Sequence, residues 1–452
     1  MTDLRAVVAR VDERVAPDER ERERMRRAAE TLKERVRAAL ADLPVGADVL
    51  QVGSTARGTW LSGDRDIDLF VRFPTTLDRE RLEEYGLRVG RAVLPDGREE
   101  YAEHPYVTGT HDGFDVDLVP CYDVDRATEI RSAVDRTPFH TAYLDERLDP
   151  ALVGDVRALK RLLKSIGAYG SNLRTRGFSG YLTELLVLAE GGAVPLFEAA
   201  ADWSLPVRYD PEGHGTAEFD DPLVVIDPTD PERNVAAVCA PEHVVRLQHY
   251  ARDLLADPGI EPFFRAPPDP LSPGAVRAHV ERRGTTPLAV VFDAPDLVDD
   301  QLYPQLRRSL TGITSALERR GFAPMRTRTF AADRAVLLVE VAVPELPAVE
   351  RHEGPPVDVR EHATGFYETY ADDPDVYGPF LDGTRYVVER PREVRRAADL
   401  LASDALFDVA LGARVADALR AGYEVLTGTD VAVLAEEAAF GRELARHFDP
   451  RV

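Results

Sequence analysis

Two aspartates alternate along an apolar run, Asp66-Ile67-Asp68-Leu69-Phe70-Val71, a dozen residues beyond Ser54 of a Gly53-Ser54 pair. Side chains alternate faces along a strand, so Asp66 and Asp68 project together while Ile67, Leu69 and Val71 enter a core. Neighbouring carboxylates repel, and burying them without a counter-charge is costly. A divalent cation is the usual remedy. A second run, Phe114-Asp115-Val116-Asp117-Leu118, alternates in the same way, and pairing it beside the first would bring Asp117 to the same face. Three carboxylates around two metal ions would activate an attacking hydroxyl and stabilise a leaving pyrophosphate. Gly53 and Ser54, at the mouth of a helix, would cradle triphosphate oxygens with backbone N–H groups and a hydroxyl. A lone Asp-x-Asp is usually a solvated strand edge. Joined to the Gly-Ser pair and a second Asp-bearing strand, it points to nucleotidyl transfer.

These residues need a frame. From about 46 to 140 the pattern alternates: strand at 49–52, short helix around Arg57, strand at 66–73, helix at 77–92 and strand at 115–120. That order predicts a compact α/β unit around a mixed sheet. Residues 1–40, rich in Arg and Glu with apolar residues at helical spacing, predict one amphipathic helix packed on that sheet. Helical periodicity dominates from about 150 to 260, and a Pro- and Gly-rich stretch at 258–274 reads as a linker. Beyond it come a strand at 288–292, a helix at 303–319 and strands at 325–330 and 335–343. The β-α-β-β order suggests a ferredoxin-like or RNA-recognition-like α/β domain whose apolar strands are core rather than a ligand platform. From about 392 an Ala- and Leu-rich helical tail is expected.

Acidic residues number 80 against 56 Lys and Arg, a formal net charge of −24. Lysine is confined to Lys33, Lys160 and Lys164; every other basic residue apart from histidine is arginine. Acid loading with lysine nearly eliminated is the composition of a protein adapted to molar salt. The Debye length there is about 3 Å, so net charge does not exclude a nucleic-acid partner. Lys160 and Lys164 lie one helical turn apart among apolar positions, and a compact ammonium suits phosphate oxygens. Cys121 and Cys239 offer neither a disulfide framework nor a zinc motif. With no secretory core and no run of about 18 apolar residues, a cytoplasmic protein is expected.

These residues, taken with further segments, resemble the class I, archaeal-type CCA-adding enzymes, tRNA CCA nucleotidyltransferases of the DNA polymerase β nucleotidyltransferase superfamily. The segments are Arg57-Gly58-Thr59-Trp60-Leu61, Val116 to Tyr122, Ser132-Ala133-Val134-Asp135-Arg136-Thr137-Pro138-Phe139-His140, Tyr169-Gly170, Arg176 to Tyr181, and Asp227-Pro228 through Ala237. The resemblance is specific over residues 40–260 and coarse beyond. It implies a polymerase β-type catalytic domain at 1–145, a helical nucleotide-recognition domain at 146–262, and an α/β RNA-binding body and tail at 275–452. It implies two Mg²⁺ ions at Asp66, Asp68 and Asp117, the first of which is often Glu in that family. It implies nucleotide contacts at Gly53, Ser54, Arg57, His140, Lys160 and Tyr169. Arg233 would help admit C and A and refuse G and U, since a guanidinium donates but cannot accept. The implied reaction is template-free addition of C, C and A to the tRNA 3′ end from CTP and ATP, including repair of incomplete ends. The tRNA would be held by its 3′ end and acceptor/TΨC region, by a homodimer. The competing readings are a poly(A)- or oligoadenylate-type enzyme of the same superfamily, and an inactive RNA-binding scaffold.

Overall fold

The computed structural model describes residues 3–101 and 103–452. The chain divides into two compact units, one ending at Ala266 and the other beginning at Pro267.

The first unit opens with two helices where the sequence suggested one: α1 (Leu4–Val15) and α2 (Glu19–Ala41). Pro17 has no N–H to continue the ladder. Asp18 then caps α2 by accepting from Glu21 N–H, while the Glu21 side chain accepts from the Asp18 N–H. The break separates two destinations. Leu32 and Val36 of α2 pack on the catalytic sheet, whereas Val7 and Val11 of α1 join the helical core further along the chain.

The sheet comprises β1 (Asp48–Val52), β2 (Asp66–Pro74), β3 (Arg98–Tyr101), β4 (Pro105–His111) and β5 (Phe114–Asp123), in the order β1-β2-β5-β4-β3. The five-residue α3 (Gly53–Arg57) follows β1, and α4 (Arg79–Val93) follows β2. Ile67, Leu69, Val71, Val116 and Leu118 turn one sheet face towards α2 and α4. Gly86 lets α4 close on β5, where a Cβ would meet the Pro120 ring at 2.6 Å. Strand β3 escaped the sequence reading because Arg98, Glu99 and Glu100 form a polar edge with no apolar alternation, and β4 because it buries only Val107.

The region after the sheet is built from α5 (Thr137–Arg147), α6 (Val153–Ser165), α7 (Gly180–Glu190), α8 (Ala193–Ala201) and α9 (Pro241–Ala256). It is not purely helical. Between α8 and α9 lie β6 (Val207–Tyr209), β7 (Leu223–Asp227) and β8 (Asp230–Asn234), a three-stranded sheet in that order. All five residues of β7 are buried, and an apolar run that short carries no periodicity to separate strand from helix. Part of the expected linker is also packed, since Phe263 is fully buried in the helical core.

The second unit contains α10 (Pro273–Arg283), β9 (Thr286–Asp293), α11 (Asp299–Arg319), β10 (Pro324–Ala331) and β11 (Arg334–Val341). An inserted sheet follows, β12 (Val349–Pro356), β13 (Tyr377–Asp382) and β14 (Arg385–Pro391), with α12 (Arg360–Tyr370) between its first two strands. The chain ends with α13 (Ala397–Leu401), α14 (Ala413–Ala421), β15 (Glu424–Thr427) and α15 (Ala438–Phe448). The tail is therefore not all helix: β15 completes a four-stranded sheet in the order β10-β11-β9-β15, antiparallel throughout. That is the ferredoxin-like arrangement. Both sheet faces are covered, one by α11, α13 and α14 and the other by α10 and α15. Strands β9 and β11 are core, whereas the edge strands β10 and β15 bury only Phe330 and Leu426.

Candidate active site

Strands β2 and β5 run parallel with Asp66 opposite Asp115 and Asp68 opposite Asp117. The even pleat carries Ile67 and Leu69 into the core and leaves these carboxylates on the other face, which Phe70, Val52 and Cys121 close further along. Burial, then Asp117, then Asp66 push the Asp68 carboxyl up to about 6. Asp66 is raised by burial and by Asp64 and Asp115, and Asp117 by burial and by Glu100 and Asp66 despite a hydrogen bond from Thr108. Among the described residues, no three His, Cys, Asp or Glu side chains stand close enough together to hold a metal ion.

The donor set nevertheless fits a hard divalent cation. Its atoms are carboxylate oxygens, and the nearest side-chain cations, Arg57 and Lys160, are bonded to other carboxylates. Gly53 adds a steric reason for the site's shape: its φ is +77°, and a Cβ there would sit 2.4 Å from Asp68 Oδ2. Only glycine lets the backbone approach this carboxylate so closely. Ser54 follows in the first turn of α3.

Arg57, at the end of α3, is held across the unit by Glu184 of α7. Its Nε and Nη2 donate to Glu184 Oε1 and Oε2 at 3.2 and 2.8 Å, and Nη1 reaches Thr141 Oγ1 at 3.5 Å. Thr59 Oγ1 donates to the same Glu184 at 2.5 Å. Arg157 of α6 adds a second tie, bidentate to Asp12 and donating to the Gly58 carbonyl. The segment from Ser132 to His140 is anchored by buried Asp135, which accepts from the N–H groups of Tyr122, Arg131 and Ser132.

His140 and Arg233 meet on one buried carboxylate, Asp227 at the end of β7. His140 Nε2 lies 2.8 Å and Arg233 Nη1 2.7 Å from Asp227 Oδ2, while Thr229 N–H and Oγ1 donate to Oδ1. Burial alone would raise the Asp227 carboxyl, but His140, Thr229 and Arg233 hold it well below the usual range. Burial lowers His140 against the opposing hydrogen bond and charge of Asp227, and because ionised Asp227 can only accept, Nε2 carries a proton. Its ring stacks on Tyr181, with centroids 3.9 Å apart and planes 14° off parallel.

Lys160 and Lys164 both donate to Asp64, just before β2, at 2.9 and 2.7 Å. Their ammonium groups each lie 5.5 Å from the centre of the Tyr169 ring. Burial would raise Asp64, and the two lysines outweigh it to hold the carboxyl below its ordinary value. The structure thus gathers the predicted residues into two neighbourhoods, Gly53/Asp66/Asp68/Asp117 and His140/Arg233, with Arg57 and Lys160 engaged by acids. Glu184, Asp227 and Asp64 were given no role from the sequence. Glu184 was detectable as a lone charge within Leu182-Thr183-Glu184-Leu185-Leu186, Asp227 as the acid ending an apolar run, and Asp64 as an acid beside Asp66.

Three family models match successive stretches: the nucleotidyltransferase domain at residues 29–140, the tRNA nucleotidyltransferase second domain at 154–264, and the CCA-adding enzyme C-terminal domain at 283–428. The CCA-adding enzyme of Halorubrum lacusprofundi is 61% identical and the alignment covers 100% of both chains. That of Haloarcula marismortui is 59% identical over 99% of this chain and 98% of its own. That of Halobacterium salinarum is 59% identical over 100% of both.

Proposed function

The chain belongs to the CCA-adding enzyme family, and from that premise we propose how its residues divide the work. The protein is a nucleotidyltransferase that adds C, C and A in turn to the 3′ end of tRNA, using CTP and ATP without a nucleic-acid template. The reaction depends on a divalent metal, as in nucleotidyltransferases generally. We assign that metal as Mg²⁺, in two ions held by Asp66, Asp68 and Asp117. Such ions withdraw charge from the attacking hydroxyl and the leaving phosphate oxygens.

The observation that carries this assignment is the parallel β2–β5 register, which sets Asp68 opposite Asp117 with Asp66 on the same face. Ser54 offers its hydroxyl to the triphosphate, and Gly53 gives the backbone room beside Asp68. Glu184 and Thr141 engage three of the five N–H groups of Arg57, leaving two for phosphate oxygens. Lys160, beside Tyr169, supplies a positive charge. Asp227 fixes Arg233 and His140 so that the free edge of Arg233 meets the base. N3 and O2 of cytosine or N1 of adenine can accept from it, whereas uracil and guanine present an N–H there. An unpaired buried donor costs about 1–3 kcal/mol, enough to discriminate. We further assign catalysis to residues 1–145, base selection to 146–262 and the grip on the acceptor/TΨC region to 275–452, in a cytoplasmic homodimer.

The competing poly(A)-type reading is separated by feeding single nucleotides to a tRNA lacking its terminus. CTP alone should add two residues and stop, and ATP alone should extend only tRNA already ending in CC. Processive extension from ATP alone would overturn CCA addition.

A further inference from the structure

Asp64 sits between two ammonium groups. Its Oδ2 accepts from Lys160 Nζ at 2.9 Å and from Leu61 N–H at 3.1 Å, and its Oδ1 accepts from Lys164 Nζ at 2.7 Å. Both lysines project from the same side of α6, one turn apart, and flank the Tyr169 ring. The reaction scheme above employs Lys160 and Tyr169 but neither Lys164 nor Asp64.

Two features argue against a simple strut. Arginine has replaced lysine nearly everywhere in this chain, yet both cations here are lysines. A guanidinium fork suits one planar partner, whereas an ammonium is a compact charge that exchanges partners with little rearrangement. The stoichiometry is also uneven. One carboxylate is shared by two ammonium groups, and each ammonium has three donors of which Asp64 takes one. A polyphosphate presents more oxygens and more negative charge than a single carboxylate.

We propose that Asp64 occupies the place of the nucleotide's phosphates in the free enzyme: Lys160 and Lys164 together exchange it for the triphosphate of CTP or ATP, and return to it as pyrophosphate leaves. The proposal rests on the nucleotidyl-transfer reading of the same site. It makes Lys164 a second phosphate-binding cation and Asp64 a competing carboxylate that weakens phosphate binding and eases product departure. Neither residue selects the base, so CTP and ATP are affected alike.

The test compares the full-length parent with Asp64→Asn, Lys164→Gln and the double variant at constant high KCl. Inorganic pyrophosphate binding is measured by calorimetry, and KM and kcat for both nucleotides are measured on tRNA ending in C or CC. Asp64→Asn should tighten pyrophosphate and lower both KM values by the same factor, about threefold to tenfold. Lys164→Gln should shift the same quantities the other way, and the gain from Asp64→Asn should shrink in the double variant. Weaker pyrophosphate binding in Asp64→Asn, with melting temperature near the parent's, would mean that Asp64 only positions the lysines, and would overturn the exchange. Should Asp64→Asn fail to fold, pyrophosphate binding by Lys164→Gln decides, and an affinity equal to the parent's overturns the role of Lys164. A parent that binds pyrophosphate yet incorporates no nucleotide would refute the functional reading and leave the phosphate site standing.

Discussion

Asp68 concentrates the electrostatic tension of the site. Its carboxyl is raised to about 6 by burial and by Asp117 and Asp66, against an ordinary value of about 3.9. A carboxyl whose pKa is higher in the folded than in the unfolded state stabilises the fold at low pH, and that contribution is lost as pH rises from about 4 to about 6. A rise of about two units is worth at most about 3 kcal/mol, shared among three carboxylates that titrate together. In metal-free protein, melting temperature should therefore fall across that window more for the parent than for Asp68→Asn. Mg²⁺ should restore the parent above pH ~6 and leave the variant almost unmoved. Scanning calorimetry with and without Mg²⁺ reads both effects. An equal Mg²⁺ response in the variant would place the ion elsewhere.

At the scale of elements, the five-residue α3 is tied to the helical core through α7. So short a helix cannot hold its own shape, yet it carries Gly53, Ser54 and Arg57. Glu184 of α7 supplies what α3 lacks by accepting from both Arg57 and Thr59, with its side chain 2% exposed. Removing one partner of a buried ion pair leaves the other charge uncompensated, at a cost of about 3–5 kcal/mol. Glu184→Ala should lower the unfolding free energy of the first unit by about that amount, and a denaturant titration in fixed KCl measures it. A loss below about 1 kcal/mol would mean that water replaces the carboxylate. The division of α1 from α2 is likewise an element-scale device: Pro17 and the Asp18/Glu21 box let one stretch of charged helix serve two cores.

For the whole molecule, charge decides the working conditions. With 80 acidic against 56 basic residues, self-repulsion opposes compaction and repels tRNA at low salt. Phosphate contacts, by contrast, weaken as salt rises through counterion release. The Debye length shrinks from about 10 Å at 0.1 M to about 3 Å at 1 M, so repulsion should dominate below about 0.5 M. CCA addition and melting temperature should both rise as KCl increases from about 0.1 M towards 2 M. Activity that falls monotonically while the melting temperature stays constant would mark an ordinary acidic protein. The relatives from Halorubrum, Haloarcula and Halobacterium are in keeping with the salt-adapted reading.

Local patterning sufficed for what local physics controls. Strand alternation put Asp66 and Asp68 on one face and Asp117 on a matching strand, and the spacing from Gly53-Ser54 pointed to phosphate chemistry. The β-α-β-β order of the second unit was also readable, because β9 and β11 are apolar runs and α11 between β9 and β10 carries a long helical apolar stripe. The tertiary structure decided the partners. Arg57 and Glu184 are 127 positions apart and Lys160 and Asp64 are 96 apart, and nothing in either neighbourhood of the sequence announces the other. Polar edge strand β3, fully buried β7 and late strand β15 were hidden for a related reason, since their status as strands comes from the neighbours they pair with. Alternation tells which face a side chain takes. What stands opposite that face is settled only when distant segments pack together and every buried charge must find its counterpart.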